Sequence, residues 1–425
     1  MGLAQKDLEY IWHPYTHQKN MLPAIPIVSG KGTLLFDECG NKYIDAISSW
    51  WVNLHGHANP YIAKKIYEQA QVLEHVIFAG FTHQPAVELA ERLVAKLPGN
   101  LSKIFYSDNG STAVEVALKM ALQFWANTAK PERNKILAFN NSYHGDTFGA
   151  MSASSRNIFT KAFDDKLFEV IFVDLPTNDN LLSVQSEITK YQNEFACFIY
   201  EPLLQGAGGM KMYEDNIFNE LLCFVKKQNI ICIADEVLTG FYRTGKLFAS
   251  EHMHYKPDII CLSKGLTGGT MALGVTACTN NIYKAFVSDD KTKTFFHGHS
   301  FTANPIACTA ALASLDLLEK KKCIKKIETI IKSTRKFSNK LKITRYKKQI
   351  KNVRQLGTIL AFEVATAESD QYLNNIAELF TKFSLAYGVY LRALGNTIYI
   401  MPPYCITKDQ LKKVFCVVEK FLNTN

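Results

Sequence analysis

Short apolar runs alternate with helical patterns along the middle of the chain, between about residues 100 and 280. Helical spacing is clearest at Ser111–Trp125 and Asn216–Lys227. Continuous apolar strands separated by helices are typical of a largely parallel sheet that helices cover on both faces. We therefore predict an α/β fold with a mostly parallel sheet, whose ligands bind outside the carboxyl ends of the strands. The predicted strands are KIFYSD (103–108), KILAFN (135–140), EVIFVD (169–174), CFIYEP (197–202), IICIADE (230–236), DIICLS (258–263) and GVTACT (274–279).

The two ends of the chain have a different pattern. Before about residue 60 the sequence is irregular and rich in Trp, Pro and Gly. After residue 310, the helical stretch Ala307–Glu319 leads into a lysine-rich segment, short strands and a second helix. We predict a large domain at 56–315 and a smaller α+β domain, built from residues 1–55 and 316–425.

The composition is that of an ordinary globular protein. Of 425 residues, 47% are apolar and 20% are charged, which excludes a disordered, collagen-like or coiled-coil chain. No uncharged apolar stretch reaches the ~18–20 residues that a membrane helix needs. The first fifteen residues contain no apolar signal region, and the ten cysteines form no CxxC pair. We expect a reduced, cytoplasmic protein with free thiols and no membrane association.

The positive charge is concentrated in one segment. The formal net charge is +9, yet residues 320–354 contain 15 basic residues and a single acid, Glu328. Such a cluster indicates either a nucleic-acid footprint or a solvated helix face. Ile324, Ile327, Ile331 and Leu341 recur there at near-helical spacing, which favours the helix face. We predict small-molecule substrates and no nucleic-acid partner.

Two predicted strands end in residues able to carry chemistry. IICIADE contains Asp235 near its end, and Lys264 directly follows DIICLS. A lysine at a buried strand end is costly unless it has a partner or a covalent role, because burial lowers its pKa and makes the amine a nucleophile. A buried acid nearby suits a pyridinium nitrogen. The alternative is a structural ion pair between Asp235 and Lys264.

Two loops after strands are candidate ligand contacts. Gly110 and Ser111 open a helix, and the free N–H groups of a helix start bind anions. The alternative there is a plain N-cap, with Glu115 completing a capping box. Tyr143 begins the sequence Y-H-G-D, where an aromatic ring could stack on a flat ligand; the alternative is a simple turn.

Two pairs of histidines do not predict a metal. His55 and His57, like His297 and His299, are separated by one residue. Neither pair has a carboxylate or a third histidine at ligand spacing. We expect no metal site.

Taken together, the motifs around Gly110, Tyr143, Asp235 and Lys264 resemble the class III pyridoxal-phosphate aminotransferases of fold type I. The block D-E-V-L-T-G-F-Y-R-T-G followed by P-D-I-I-C-L-S-K-G is highly specific for that family. The resemblance runs from about Trp12 to Tyr404 and implies a transaminase.

The resemblance also implies a cofactor, pyridoxal 5′-phosphate. Lys264 would hold it as a Schiff base and shuttle a proton, and Asp235 would pair with its ring nitrogen. Tyr143 would stack on the ring, while Gly110 and Ser111 would bind the phosphate.

Three further residues are implied beside the cofactor. Glu201 and Gln205 would form a polar wall beside the ring. Ser300 would reach the phosphate of the other subunit, so the resemblance implies a homodimer with active sites at the subunit interface.

Three more segments narrow the resemblance to one branch of the family. They are I-W-H-P-Y-T (11–16), S-S-W-W-V-N-L-H-G-H (48–57) and I-Y-I-M-P-P-Y (398–404). That branch acts in biotin biosynthesis and transfers the amino group of S-adenosylmethionine to 8-amino-7-oxononanoate in a ping-pong reaction. The alternative is another class III ω-aminotransferase that uses ornithine, 4-aminobutyrate or lysine. The substrate residues that the resemblance implies are Tyr15, Trp50, Trp51, Arg243, Arg392 and Tyr399.

The residues themselves suit such substrates. Trp50 and Trp51 could line a long apolar chain, since indoles bury a large apolar area. Arg392 could bind a carboxylate through two hydrogen bonds. The alternatives are that the two tryptophans belong to the core and that Arg392 is an ordinary surface residue.

Overall fold

The computed structural model describes residues 2–21, 23–343, 345–365 and 375–424. Within those ranges, no helix has both the length and the apolar character that a membrane crossing requires. The helices, in chain order, are α1 (Leu3–Tyr10), α2 (Ser48–Trp51), α3 (Pro60–Ala70), α4 (Gln84–Val94), α5 (Gly110–Asn127), α6 (Phe148–Ala153), α7 (Leu181–Thr189), α8 (Asp215–Lys227), α9 (Asn280–Lys284), α10 (Pro305–Leu318), α11 (Lys321–Ile343), α12 (Ile376–Ala386) and α13 (Lys408–Thr424).

The strands form three larger sheets and one small hairpin. In chain order they are β1 (Ile27–Lys31), β2 (Leu34–Asp37), β3 (Lys42–Asp45), β4 (Leu101–Ser107), β5 (Lys135–Phe139), β6 (Ile171–Val173), β7 (Phe195–Tyr200), β8 (Leu204–Gln205), β9 (Lys211–Met212), β10 (Ile231–Asp235), β11 (Ile259–Leu262), β12 (Gly274–Thr279), β13 (Ile350–Leu356), β14 (Ile359–Val364), β15 (Val389–Tyr390), β16 (Ala393–Leu394) and β17 (Thr397–Ile400).

The central sheet has seven strands in the order β4-β12-β11-β10-β7-β5-β6. All seven apolar runs predicted from the sequence are strands of this sheet, and the prediction of a mostly parallel α/β sheet is confirmed. The exception is β12, which pairs antiparallel with both β11 and β4. The connection from β11 to β12 covers only residues 263–273, which is too short for the helical crossover that a parallel neighbour requires.

The strands of this sheet are apolar on both faces because both faces are covered. In β10, Ile231 and Ile233 pack in the cluster that contains α5, whereas Cys232 and Ala234 pack in the larger cluster on the other face. Successive side chains of a strand point to opposite faces, so a doubly covered strand has no polar alternation. This burial leaves the strand ends as the places where polar side chains reach a cavity.

The N-terminal and C-terminal segments meet in a second sheet, of order β1-β2-β3-β15. Its parallel pair joins Ile44 to Val389 and Asp45 to Tyr390. A third sheet, β13-β14-β17-β16, belongs to the C-terminal third alone. These contacts do not test the domain bounds of 1–55, 56–315 and 316–425, which remain a prediction.

The basic segment forms the amphipathic helix α11. Ile327, Ile330 and Leu341 are buried against the core, and the ring of Phe337 stacks on Phe415 of α13 with centroids 4.2 Å apart. Most of the lysines of α11 are exposed. The helix therefore has the apolar stripe and solvated basic face that the spacing predicts.

Candidate active site

A cavity of about 820 Å³ opens at the carboxyl ends of the central strands, within the size range of small-molecule sites. Its position follows the rule for ligands of doubly wound sheets. Of the fourteen site residues predicted from the sequence, eleven line it, so residues far apart in the chain do share one site. They are Tyr15, Trp50, Trp51, Gly110, Ser111, Tyr143, Glu201, Asp235, Lys264, Arg392 and Tyr399.

Three of these residues come from strand ends, and we call Glu201, Asp235 and Lys264 the floor of the cavity. Asp235 is the last residue of β10, and Glu201 directly follows β7. Lys264 follows β11 after one intervening residue and has a φ of 46°, a left-handed conformation that is rare outside glycine. Strain of this kind is concentrated at functional sites.

The amine of Lys264 is set up to lose its proton. Burial lowers the pKa of Lys264, against the opposing effect of the carboxylates of Asp235 and Glu201. The Nζ atom lies 4.7 Å from the centroid of the Trp51 ring. A neutral lysine amine in such a place is able to act as a nucleophile or as a base.

Asp235 is held in one orientation. Its Oδ2 lies 2.7 Å from Nδ1 of His144, and its Oδ1 accepts the backbone N–H of Val237 at 3.1 Å. His144 is buried, and its own backbone N–H donates to Ser154 at 2.8 Å. The carboxylate is therefore fixed where it borders the cavity.

Glu201 is a buried acid with an unusual proton affinity. Burial raises the pKa of Glu201 to about 7, although hydrogen bonds and the neighbouring His144 act in the opposite direction. Its oxygens accept the backbone N–H groups of Tyr143 at 3.1 Å and Gly206 at 2.8 Å. Beside it, Gln205 donates to the carbonyl of Asn140 at 2.8 Å.

The first turn of α5 provides free backbone donors at the cavity. Its capping box joins Asn109 and Thr112, so the alternative that Glu115 completes the box is wrong. Glu115 instead accepts hydrogen bonds from Thr147 and Ala150. The helix start keeps the partial positive charge that binds anions.

Glycines beside this helix start allow a close approach of the backbone. A Cβ atom on Gly110 would lie 2.7 Å from Val237, and one on Gly145 would lie 2.2 Å from the Oγ of Ser111. Gly145 also has a φ of 136°, which residues with a Cβ rarely adopt. Ser111 accepts the backbone N–H of Asp146 at 3.2 Å, which ties this helix start to the loop after Tyr143.

Aromatic and charged side chains form a second part of the site, and we call Tyr15, Trp50, Trp51, Arg392 and Tyr399 the wall. The guanidinium of Arg392 lies 4.9 Å from the ring centroid of Trp50. The ring of Tyr15 meets Trp50 edge-on at 5.6 Å. The Nε1–H of Trp51 donates to the hydroxyl of Tyr399 at 3.1 Å. The wall thus joins two N-terminal segments to the C-terminal part of the chain.

Tyr143 lies between the two parts. Its hydroxyl is 3.4 Å from that of Tyr15, which donates to Asp146 at 2.6 Å. Burial raises the pKa of Tyr143 well above its ordinary value, and the contacts with Tyr15 and Asp146 add to the effect. The phenol therefore stays protonated and is available as a donor.

Three predicted site residues lie outside the lining of the cavity, and Gln205, which bonds to Asn140, is one of them. Arg243 is buried and donates to the backbone carbonyls of Pro402, Trp51 and Asn53 at 3.1–3.3 Å. Arg243 thus contacts the main chain at Trp51 and near the other wall residues, rather than the interior of the cavity. Ser300 is exposed on the loop before α10.

Some residues at the site were not predicted. Asp146 lies next to the Y-H-G sequence, and His144 lies within it, so the motif was a usable signal for both. Phe159 lines the cavity with its ring 5.7 Å from that of Tyr15, and no pattern in the sequence marks it. Among the described residues, no group of three or more His, Cys, Asp or Glu side chains could hold a metal ion.

Comparison with known proteins decides the family. The sequence model described as Aminotransferase class-III matches residues 15–422. The chain belongs to the class-III aminotransferases. The family and fold type predicted from the motifs are thereby confirmed, and the chain is a transaminase.

Several class-III aminotransferases match over nearly their full length. The adenosylmethionine-8-amino-7-oxononanoate aminotransferase of Synechococcus elongatus is 43% identical, over 97% of this chain and 98% of that protein. The enzyme of the same name from Helicobacter pylori is 38% identical, over 99% and 98%. A crystal structure of such an enzyme from Methanocaldococcus jannaschii superposes with a TM-score of 0.94, at 36% identity and 99% and 98% coverage.

Membership of the class-III aminotransferases implies pyridoxal phosphate, and the cavity fits that group. The start of α5 and the glycines beside it suit the phosphate. Asp235 suits a ring nitrogen that carries a proton, and Lys264 suits covalent attachment. The Oε1 of Gln205, beside Glu201, is buried and has no hydrogen-bond partner among the described residues.

Proposed function

We propose that the chain transfers the amino group of S-adenosylmethionine to 8-amino-7-oxononanoate, giving 7,8-diaminononanoate in biotin biosynthesis. The names of the relatives support this pair of substrates. The observation that carries the proposal is the single cavity that has Lys264 at its floor and, in its wall, Arg392 with its guanidinium 4.9 Å from the ring centroid of Trp50.

The acceptor suits the wall. Its long apolar chain ends in a carboxylate, for which the planar fork of Arg392 offers two parallel hydrogen bonds. Trp50 and Trp51 offer apolar faces to the chain. The contact of the guanidinium with the Trp50 ring restricts the Arg392 side chain, which lowers the entropy lost when the carboxylate binds.

The donor suits the same aromatic faces. S-adenosylmethionine carries a sulfonium cation, and cations are attracted to the faces of Trp and Tyr rings. Tyr15 and Trp50 provide such faces at the edge of the cavity. One aromatic wall therefore serves a cationic donor and an apolar acceptor in turn, as the ping-pong order requires.

The floor supplies the proton chemistry. When bound, pyridoxal phosphate withdraws electrons from the carbon that carries the amino group. Lys264 would hold the cofactor covalently, and its amine, once released, would carry the proton between the substrate carbon and the cofactor. Asp235, oriented by His144, would keep the ring nitrogen protonated.

The remaining cofactor contacts follow from the placement of the side chains. Gly110 and Ser111 would donate to the phosphate from the start of α5. Tyr143 would stack on the ring, and Glu201 would border its polar edge. Arg243 would act by holding the backbone of the wall.

A homodimer is part of the proposal. Ser300 is exposed between two exposed aromatic residues, Phe296 and Phe301, and Trp12 is 86% exposed. Aromatic residues are enriched in protein interfaces relative to the rest of the surface. Ser300 would reach the phosphate bound by the partner subunit. The ten free cysteines support a cytoplasmic location.

Mixed dimers test the shared site. A mixed dimer combines one Lys264→Ala subunit with one Ser300→Ala subunit. If Ser300 acts across the interface, the site of the Ser300→Ala subunit keeps its own lysine and receives the intact serine of the other subunit. Activity should then exceed that of either variant alone. No gain on mixing would place Ser300 in its own subunit's site.

The substrate pair is tested with a panel of donors. The cofactor-loaded protein is given 8-amino-7-oxononanoate with S-adenosylmethionine, lysine, ornithine or 4-aminobutyrate, and 7,8-diaminononanoate is measured by mass spectrometry. Product with S-adenosylmethionine is expected. Product only with another donor would keep the transaminase and replace the proposed donor.

A further inference from the structure

The turn that carries the two wall tryptophans has an unusual backbone. Ser48, Ser49 and Trp51 have φ values of 57°, 58° and 68°. Ser49 combines its φ with a ψ of −98°, a region that favours glycine. Three residues with side chains in such conformations persist only where their surroundings hold them.

Asp45 is the side chain that holds this turn. Its oxygens accept the backbone N–H of Ile47 at 3.2 Å and that of Ser49 at 2.9 and 2.7 Å. The hydroxyl of Ser49 donates to it as well, at 3.2 Å. The side chain is completely buried, so these hydrogen bonds are protected from competition with water.

His57 completes the bonding of Asp45. The Oδ1 of Asn53 accepts the backbone N–H of Gly56 at 2.7 Å, which turns its Nδ2 toward Nδ1 of His57 at 3.3 Å. Nδ1 of His57 therefore accepts a hydrogen bond, and Nε2 carries the proton that it donates to Asp45 at 2.9 Å. Asp45 thus receives a side-chain donor beside the backbone donors.

We propose that Asp45, oriented by His57, is a positioning residue that determines how well the acceptor binds. Asp45 does not line the cavity, so it acts through the turn. The turn presents Trp50 to Arg392 at 4.9 Å and Trp51 to Lys264 at 4.7 Å. The proposal rests on the proposed function for the identity of the acceptor.

Both substrates use the Trp50 face, but the effect should be largest on acceptor binding, because the acceptor also needs the guanidinium of Arg392 beside Trp50. Lys264 is attached to the central sheet, whereas Trp50 depends on the turn for its place beside Arg392. In Asp45→Asn an amide donor faces the N–H groups of the turn, and the indoles move. We expect the KM for 8-amino-7-oxononanoate to rise about tenfold to a hundredfold, while kcat changes about threefold or less.

Asp37 provides a matched control. It is also buried, it belongs to the same sheet, and it accepts the backbone N–H groups of Cys39 and Asn41 and the hydroxyl of Tyr43 at 2.8–3.0 Å. It holds a turn that lies outside the cavity lining. Asp37→Asn should lower thermal stability and leave both KM values unchanged.

Two measurements on Asp45→Asn and Asp37→Asn test the proposal. The first is the KM for each substrate with the cofactor-loaded enzyme. The second is the near-ultraviolet circular dichroism of the cofactor-free proteins, whose indole bands should change in Asp45→Asn alone. A wild-type KM for 8-amino-7-oxononanoate, or wild-type indole bands, in Asp45→Asn would overturn the proposal.

A rescue separates positioning from general stability. Glycine takes the conformation of Ser49 without strain. In the double variant Asp45→Asn/Ser49→Gly, the KM for 8-amino-7-oxononanoate should therefore return most of the way to the wild-type value. No recovery would contradict the proposed role of Asp45 in holding a strained turn. If Asp45→Asn fails to fold, His57→Phe takes its place, because it removes only one hydrogen-bond donor to Asp45. The KM for 8-amino-7-oxononanoate should then rise about threefold to tenfold. An unchanged KM in His57→Phe would also contradict the proposal.

The outcomes distinguish this inference from the proposed function. A wild-type enzyme that ignores 8-amino-7-oxononanoate would remove the proposed acceptor. The indole bands of the cofactor-free variants would still show whether Asp45 holds the tryptophans. Unchanged bands in Asp45→Asn, with normal turnover in the wild type, would remove the role of Asp45 alone.

Discussion

The floor and the wall of the cavity are built in different ways. The floor residues Glu201, Asp235 and Lys264 lie at or just after the ends of neighbouring strands in one sheet. The wall is assembled from the two ends of the chain: Tyr15, Trp50 and Trp51 precede the central sheet, and Arg392 and Tyr399 follow it. One part depends on local sheet geometry and the other on contacts between distant segments.

This difference divides the reaction between the two parts. The floor offers an amine and two carboxylates, which move and hold protons. The wall offers ring faces and one guanidinium, which bind substrates by shape and charge. Changes in the floor should therefore affect both half-reactions, and changes in the wall should affect one substrate more than the other.

The largest expected effect comes from removing the floor lysine. Lys264→Ala should lower turnover by about 10⁴-fold or more, because the covalent hold on the cofactor and the proton carrier are both lost. Steady-state turnover and the visible absorption of the bound cofactor are the measurements. Lys226→Ala, at a lysine bonded to Asp258 outside the cavity, is the control. Substantial turnover in Lys264→Ala would contradict the assignment of the proton chemistry to the floor.

The second prediction concerns Asp235. Asp235→Asn keeps the shape of the side chain but removes the charge that favours a protonated ring nitrogen. Both half-reactions should slow by about 10²- to 10³-fold, measured by stopped-flow absorbance with each substrate. A loss confined to one substrate would show that Asp235 belongs functionally to the wall.

The third prediction sharpens the role of the wall. Arg392→Ala removes two charge-assisted hydrogen bonds to a carboxylate, so the KM for 8-amino-7-oxononanoate should rise about 10- to 100-fold. The KM for S-adenosylmethionine should rise less. Arg354→Ala, at an arginine bonded to Glu363 in the third sheet, is the control for loss of a half-buried arginine. Equal effects on both substrates would contradict a dedicated carboxylate site.

The last prediction concerns stability rather than catalysis and is a dependence on pH in the cofactor-free protein. The pKa of Glu201 is about 7 in the folded chain, against an ordinary value of 4.5. Between those values the folded state holds a proton that the unfolded state has lost, so the free energy of unfolding falls as pH rises from 4.5 to 7. The loss is at most about 3 kcal/mol.

Thermal unfolding at pH 5 and pH 8 measures this effect. Glu201→Gln has no carboxyl proton to lose, so its stability should fall less between the two values than that of the wild type. An identical pH dependence in both proteins would mean that Glu201 is ionised throughout and that the floor is more polar than its burial indicates.

Sequence reasoning could predict the floor because strand ends are visible in the apolar pattern. Asp235 and Lys264 follow apolar runs, and the rule for parallel sheets places such ends together. The wall residues Trp50 and Arg392 were named only through family resemblance, since no local pattern brings residues so far apart into contact.

Other features were beyond sequence reasoning for a physical reason. The bond from His144 to Asp235 depends on how a loop folds back over the sheet. The turn around Ser49 is strained, and its local sequence contains no glycine that would indicate positive φ values. The antiparallel direction of β12 follows from a short connection, which the apolar pattern alone does not distinguish from a crossover.

The most direct test of the central claim is a pair of half-reactions followed by absorbance. S-adenosylmethionine alone is added to the cofactor-loaded protein, and 8-amino-7-oxononanoate is added after the donor has been removed. We predict that the visible absorption of the cofactor is lost with the first substrate and returns with the second, because one cavity serves both. Loss without return, or no change with either, would contradict a shared floor and wall for these substrates.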